Sequence, residues 1–139
     1  MFLPDTNVIS ELRHGKPHQS TVVRAWAEEK AVQQLYLSSI TVLELEMGVL
    51  RPERKDRSQG KVLRAWVEVV YQQFVGQVLP FRAETARRWA VMHVRDAKSM
   101  RDSMIAATAL QHSLTLVTRN VADFDGIKIK LINPWKDLA

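Results

Sequence analysis

Short apolar runs alternate along the chain with longer stretches in which apolar residues recur at helical spacing. Phe2-Leu3 is the first run, and Pro4 is tolerated at its end. Asp5-Thr6-Asn7 then supplies turn and cap chemistry before Val8, Ile9 and Leu12 resume a helical pattern. A polar turn over residues 13–18 leads to Ser20-Thr21, which can cap a helix carrying Val22, Val23, Trp26 and Ala27. Leu35-Tyr36-Leu37 is β-prone, and Ser38-Ser39 caps a helix over residues 40–50 that Pro52 ends. Residues 51–61 are charged and turn-rich, and read as a loop or as the start of the next helix. Val62, Leu63, Trp66, Val69, Val70 and Phe74 make residues 61–74 an amphipathic helix, which Gly76 stops.

A strand at residues 78–81 and helices over 84–97 and 101–112 follow. Leu114-Thr115-Leu116-Val117-Thr118 is the strongest strand signal, and its continuous apolar character suits a strand covered on both faces. Residues 127–131 alternate as a half-exposed edge strand before Asn133-Pro134-Trp135. With no internal repeat or linker, the alternation predicts one α/β domain over residues 1–139, with a mainly parallel sheet and helices on both faces.

Composition narrows the class. At 46% hydrophobic residues the chain can bury a sizeable core without disulfides, and it has no cysteine. No apolar stretch is long enough to cross a bilayer and no leader pattern is visible, so a cytoplasmic, membrane-free protein is expected. The net charge of +5 favours polyanionic partners, which makes the placement of the acids informative.

Asp5 falls at the carboxyl end of a strand, the edge where open α/β sheets bind ligands, although Asp5 or Asn7 also has the chemistry of a simple helix cap. Glu44 shares a helical stripe with Ile40, Leu43 and Met47 and is expected to face inward, whereas Glu46 points to the opposite side. Asp102 opens a helix and shares a face with Ile105, Ala106 and Ala109, and the small residues Ala106, Ala107 and Ala109 permit a close approach to the sheet. Asp123 follows the last strong strand, with Asn120 one helical turn before it as a neutral oxygen donor or a cap. Gathered carboxylates repel each other unless a cation neutralises them, and an all-oxygen set without His or Cys suits Mg²⁺ or Mn²⁺ rather than zinc. His14, His18, His93 and His112 show no ligand-like pairing, and there is no phosphate-binding glycine loop.

The stretches DTNVISEL, SSITVLELEMGVL, RDSMIAATALQHSLTLVTRN and NPW, in this order, resemble the PIN-domain ribonucleases, and within them the VapC-type toxins of bacterial toxin–antitoxin pairs. The resemblance spans nearly the whole chain. It implies a three-layer α/β/α sandwich and a Mg²⁺-dependent endoribonuclease that cuts structured RNA such as tRNA with water, leaving a 3′-hydroxyl. Asp5, Glu44 and Asp102 match the family's three most regular acids. The fourth lies in some members where this chain has Asn120 and in others where it has Asp123, and Asp123 is the expected ligand because an anionic oxygen holds a hard cation better. Thr6, Asn7 and Asn120 would orient the ligands.

Among the basic residues, Arg51, Arg54, Lys55 and Arg57 form the densest candidate RNA contact. Arg13, Lys16, Arg82, Arg95, Lys98 and Arg101 are further members of a basic rim. The resemblance also implies a VapB-type antitoxin lying over the active-site groove, and a homodimer within a larger assembly that binds operator DNA through the antitoxin. Val49-Leu50 and the Trp66 helix are the expected apolar contacts. The competing readings are a DNA-cutting enzyme on the same fold and a non-catalytic nucleic-acid-binding partner.

Overall fold

The computed structural model describes residues 1–13, 15–95, 97 and 99–136; His14 and Lys98 lie outside the described residues. The strands are β1 (Phe2–Pro4), β2 (Leu37–Ser38), β3 (Val78–Leu79), β4 (Thr115–Val117) and β5 (Leu131–Ile132). The helices are α1 (Thr6–Glu11), α2 (Thr21–Glu28), α3 (Ser39–Glu53), α4 (Arg57–Gln73), α5 (Ala83–Arg95) and α6 (Met100–Gln111), with 3-10 turns at Val32–Gln34 and Val121–Phe124. Every pairing between these strands is parallel. No helix among the described residues is long and apolar enough to cross a membrane.

Two ladders, β1-β4-β5 and β2-β3, are joined by a single bridge between Phe2 and Leu35. Proline explains the split. Met1 and Asp5 exchange backbone hydrogen bonds with β4, whereas the Phe2 carbonyl turns the other way and accepts from Tyr36 N–H at 2.9 Å. By the same alternation Pro4 would donate toward β2, but it has no N–H to give, so pairing on that side stops after Phe2. The strand order is therefore 3-2-1-4-5. The chain reverses direction across the sheet between β1 and β4, which leaves a crevice at their carboxyl ends.

Side-chain alternation fills both faces. Leu3 and its register partner Leu116 pack on one side against Ile105, Ala106 and Ala109 of α6. Val117 and Phe2 face the other side, against Val8, Val23 and Trp26 of α1 and α2. A third cluster, Leu45, Val49, Leu63, Val67, Val70 and Phe74, binds α3 to α4. The sheet thus has helices on both faces, the α/β/α arrangement expected from the sequence.

Several local expectations need correction. The inward face of α3 is Thr41, Leu45 and Val49, while Leu43 is 47% exposed. Glu44 therefore sits beside the buried stripe rather than on it. Val49, expected to contribute to a self-association surface, is 1% exposed and belongs to the core. Residues 127–130 form no strand: Ile129 N–H bonds back to Ile127 O at 2.9 Å, which kinks the chain, and ladder pairing starts only when Lys130 O accepts from Leu116 N–H. The charged 51–61 segment is mostly helical. Pro52 lies in the last turn of α3, and Asp56 caps α4 by accepting from Ser58 N–H and Gln59 N–H.

Candidate active site

Asp5 is the first residue after β1, and parallel pairing of β1 with β4 puts Thr118, the first residue after β4, opposite it. The residue is 3% exposed, and both carboxylate oxygens accept hydrogen bonds. Oδ1 accepts from Thr6 N–H at 2.7 Å; Oδ2 accepts from the Thr118 hydroxyl at 2.9 Å and from Asn7 Nδ2 at 3.2 Å. Asp5 is thus the N-cap of α1 and also stands at the strand end that opens on the crevice, so the cap chemistry and the position expected from the local sequence occur together.

The second acid is tied to the first by one residue. Thr6 Oγ1 donates to Glu44 Oε1 at 2.8 Å and lies 3.1 Å from the Thr41 hydroxyl, which links α1 to α3. Glu44 Oε2 meets Arg101 Nε at 3.4 Å. Glu46 points away as expected. It receives two hydrogen bonds from Arg64, at 2.7 and 3.0 Å, and one from Tyr71 at 2.6 Å, all on α4, and these hold its carboxyl below the usual range.

Asp102, in the first turn of α6, is half-buried. Burial pushes Asp5 up to about 6, against the pull of its Thr6 and Thr118 hydrogen bonds, and the charges of Asp102 and Glu44 push in the same direction. Burial also raises Asp102, helped by the charges of Glu44 and Asp123 and opposed by Arg101 and Ser99. Asp5, Glu44, Asp102 and Asp123 therefore share one electrostatic field. As the side chains lie, no group of three acids, histidines or cysteines among the described residues is gathered closely enough to hold a metal ion. Asp5 and Glu44 are instead turned onto the hydroxyls, amides and guanidinium just named.

Asp123 and Asn120 are both exposed. Asn120 is tied through its backbone, its N–H donating to Thr118 Oγ1 at 3.1 Å, while Asp123 enters the field of Asp102. Asn7 Oδ1 accepts from Arg119 N–H at 3.4 Å, so the segment after β4 closes over the one after β1.

Thr118 and Arg119 had no expected role. Their signal was structural symmetry: each follows β4 as Asp5 and Thr6 follow β1, and register makes them neighbours. Of the basic rim, Arg51, Arg54, Lys55 and Arg57 are exposed around the α3–α4 turn, and the helical rise puts Arg54 about 15 Å along α3 from Glu44. Lys16 is committed to buried Glu11 at 2.7 Å and shapes the α1–α2 loop. A groove of about 260 Å³ runs from Glu44 past Thr6, Ser10 and Gly48 to Arg13 and Trp66. A Cβ at Gly48 would meet nothing within 4 Å, so this wall of the groove is open.

The chain resembles proteins of known kind along its whole length. The toxin FitB of Neisseria gonorrhoeae is 36% identical over 146 residues, covering 99% of this chain and all of that one. Solved structures of FitAcB and of FitAB bound to an IR36 DNA fragment match with TM-scores of 0.86 and 0.81 at 37% and 32% identity, covering 98% and 97% of this chain and 99% and 96% of those. The VapC ribonuclease Y4jK of Sinorhizobium fredii is 34% identical, covering 98% of this chain and 99% of its own. A toxin-antitoxin complex from Klebsiella pneumoniae matches with a TM-score of 0.71 at 26% identity, covering 96% of this chain and 98% of that one. With the PIN domain matched over residues 2–129 and relatives at 36% and 34% identity along the whole chain, the chain belongs to the PIN domain family, as a protein of the VapC type.

Proposed function

We propose that this chain is a Mg²⁺-dependent endoribonuclease, the toxin of a toxin–antitoxin pair, whose ligands are Asp5, Glu44, Asp102 and Asp123. The observation that carries the reading is Asp5, a carboxylate held almost out of solvent at the sheet's switch point, its proton affinity pushed up first by burial and further by the charges of Asp102 and Glu44. Nucleases of this family generally use divalent metals. The residues fit such an ion: the donors are oxygens alone, and one of the acids already holds a cation, Arg101. A bound divalent ion would supply an acidified water and neutralise the phosphate.

The chain's own residues do the rest. Thr118, Asn7 and Thr6 fix the two oxygens of Asp5, so its lone pairs face the crevice in one orientation. Thr6 couples Glu44 to the same frame, so the ligands on α1 and α3 are aligned by a single hydroxyl. The exposed cations Arg51, Arg54, Lys55 and Arg57 would draw RNA onto the rim, and structured RNA such as tRNA is the proposed substrate. The groove from Glu44 to Trp66, with an apolar cavity of about 290 Å³ lined by Ile9, Leu12, Leu35, Val70 and Phe74 beside it, offers an antitoxin segment its seat.

Cleavage of matched RNA and DNA hairpins with Mg²⁺ or with chelator, by the wild-type protein and by Asp5→Asn, tests the reading. The expected result is RNA cleavage that chelator and the substitution each abolish. Cleavage of DNA alone, or full activity in Asp5→Asn, would overturn it.

A further inference from the structure

Two arginine–glutamate pairs hang from α3, and they are built differently. Arg64 grips Glu46 with both terminal nitrogens while Tyr71 adds a third donor, a locked contact between helices. Arg101 meets Glu44 through one long contact, Nε to Oε2 at 3.4 Å, and its Nη1 rests 3.6 Å from the Met47 sulfur. The Arg101 side chain is 45% exposed, so its hold on Glu44 is screened by solvent and easily exchanged. Among the described residues neither of its terminal nitrogens bonds a carboxylate. It is also the residue directly before Asp102, so its reach covers the space in front of the acids.

We propose that Arg101 is a positioning residue with two stations: an internal counter-ion on Glu44 that a divalent cation must displace, and then a clamp for the RNA phosphate arriving at the same crevice. This rests on the metal-dependent nuclease reading. The first station offsets the mutual repulsion of Glu44 and Asp102 with a charge carried by the chain itself. The second follows from the group's shape, since a planar guanidinium freed from a carboxylate presents paired donors that match two phosphate oxygens. Arg119, the other arginine at this edge, is placed differently, with its guanidinium 5.1 Å over the Trp135 ring.

Mn²⁺ binding followed by electron paramagnetic resonance, on wild type, Arg101→Gln, Arg101→Lys and Glu44→Gln, tests the first station. Removing the competing charge should tighten Mn²⁺ binding about two- to fivefold in Arg101→Gln. Arg101→Lys should stay near wild type, and Glu44→Gln should lose affinity. The second station predicts that Arg101→Gln cuts RNA at least about tenfold more slowly at saturating Mn²⁺, with Arg101→Lys recovering only part because Lys is not bidentate. Mn²⁺ binding to wild type with an unchanged constant in Arg101→Gln would overturn the counter-ion role alone. Tighter binding with an unchanged maximal rate would overturn the clamp. Failure of both proteins to bind Mn²⁺ would overturn the metal reading itself, and this proposal with it.

Discussion

At the scale of single residues, Asp5 is held in a state that opposes folding. Its folded pKa is raised from 3.8 to about 6, so between those values the folded protein binds more protons than the unfolded chain, and stability falls as pH rises. The difference corresponds to roughly 3 kcal/mol at most above pH 6. Asp5→Asn removes the charge and keeps the acceptor for Thr6 N–H. It should unfold at a higher temperature than wild type at pH 7.5 without metal, with the gap closing toward pH 4. A gap that grows on acidification would show the charge to be stabilising.

The proposed fourth ligand belongs to the same scale. Asp123 shares the field of Asp102, whereas Asn120 is tied to Thr118 through its backbone. Titrating cleavage against Mg²⁺ should therefore show a higher metal requirement in Asp123→Asn than in Asn120→Ala. The reverse order would make Asn120 the ligand.

Among elements, α3 and α4 form the hairpin that carries Glu44 on one side and the basic turn at its tip. They approach tightly at Gly60, where a Cβ would come within 2.7 Å of Glu53 Cβ and 3.0 Å of its Cα. Gly60→Ala should destabilise the fold although alanine is the better helix former. The overpacking cost of about 1–3 kcal/mol exceeds the roughly 1 kcal/mol gained in propensity. Chemical denaturation checks this, and a stabilised variant would mean the helices separate freely at that end. Glu46 shows how legible such elements are. Its position two residues from Glu44 already sent it to the far side of α3, but its Arg64 and Tyr71 partners lie on another helix and no spacing in the chain announces them.

For the whole molecule, the net charge of +5 and a cluster of acids act in opposite directions on an RNA backbone. If about three phosphates are neutralised, the RNA dissociation constant should rise on the order of twentyfold to fortyfold between 50 and 200 mM salt. Charge reversal at Arg54 and Lys55 should flatten that slope. A salt-independent affinity would exclude the basic turn from the RNA surface.

Asp5, Glu44, Asp102 and Asp123 were singled out as candidates from the chain and its family resemblance, and the caps at Ser20 and Ser38 and the alternation of strand and helix were readable there because each depends on neighbours a few residues away. So was a parallel sheet covered on both faces, from the unbroken apolar run that became β4. What lay beyond the sequence depends on partners far along it. Periodicity located a stripe on α3, but only packing against β2 and α4 chose Thr41, Leu45 and Val49 as its buried face and left Glu44 at the margin. The kink at Ile127–Ile129 moved the last strand because a backbone turn outcompeted an alternating pattern with no partner yet in place. Thr118 reached Asp5, and Arg101 reached Glu44, because strand register and helix packing bring together residues that lie 113 and 57 positions apart, a pairing that no local preference encodes.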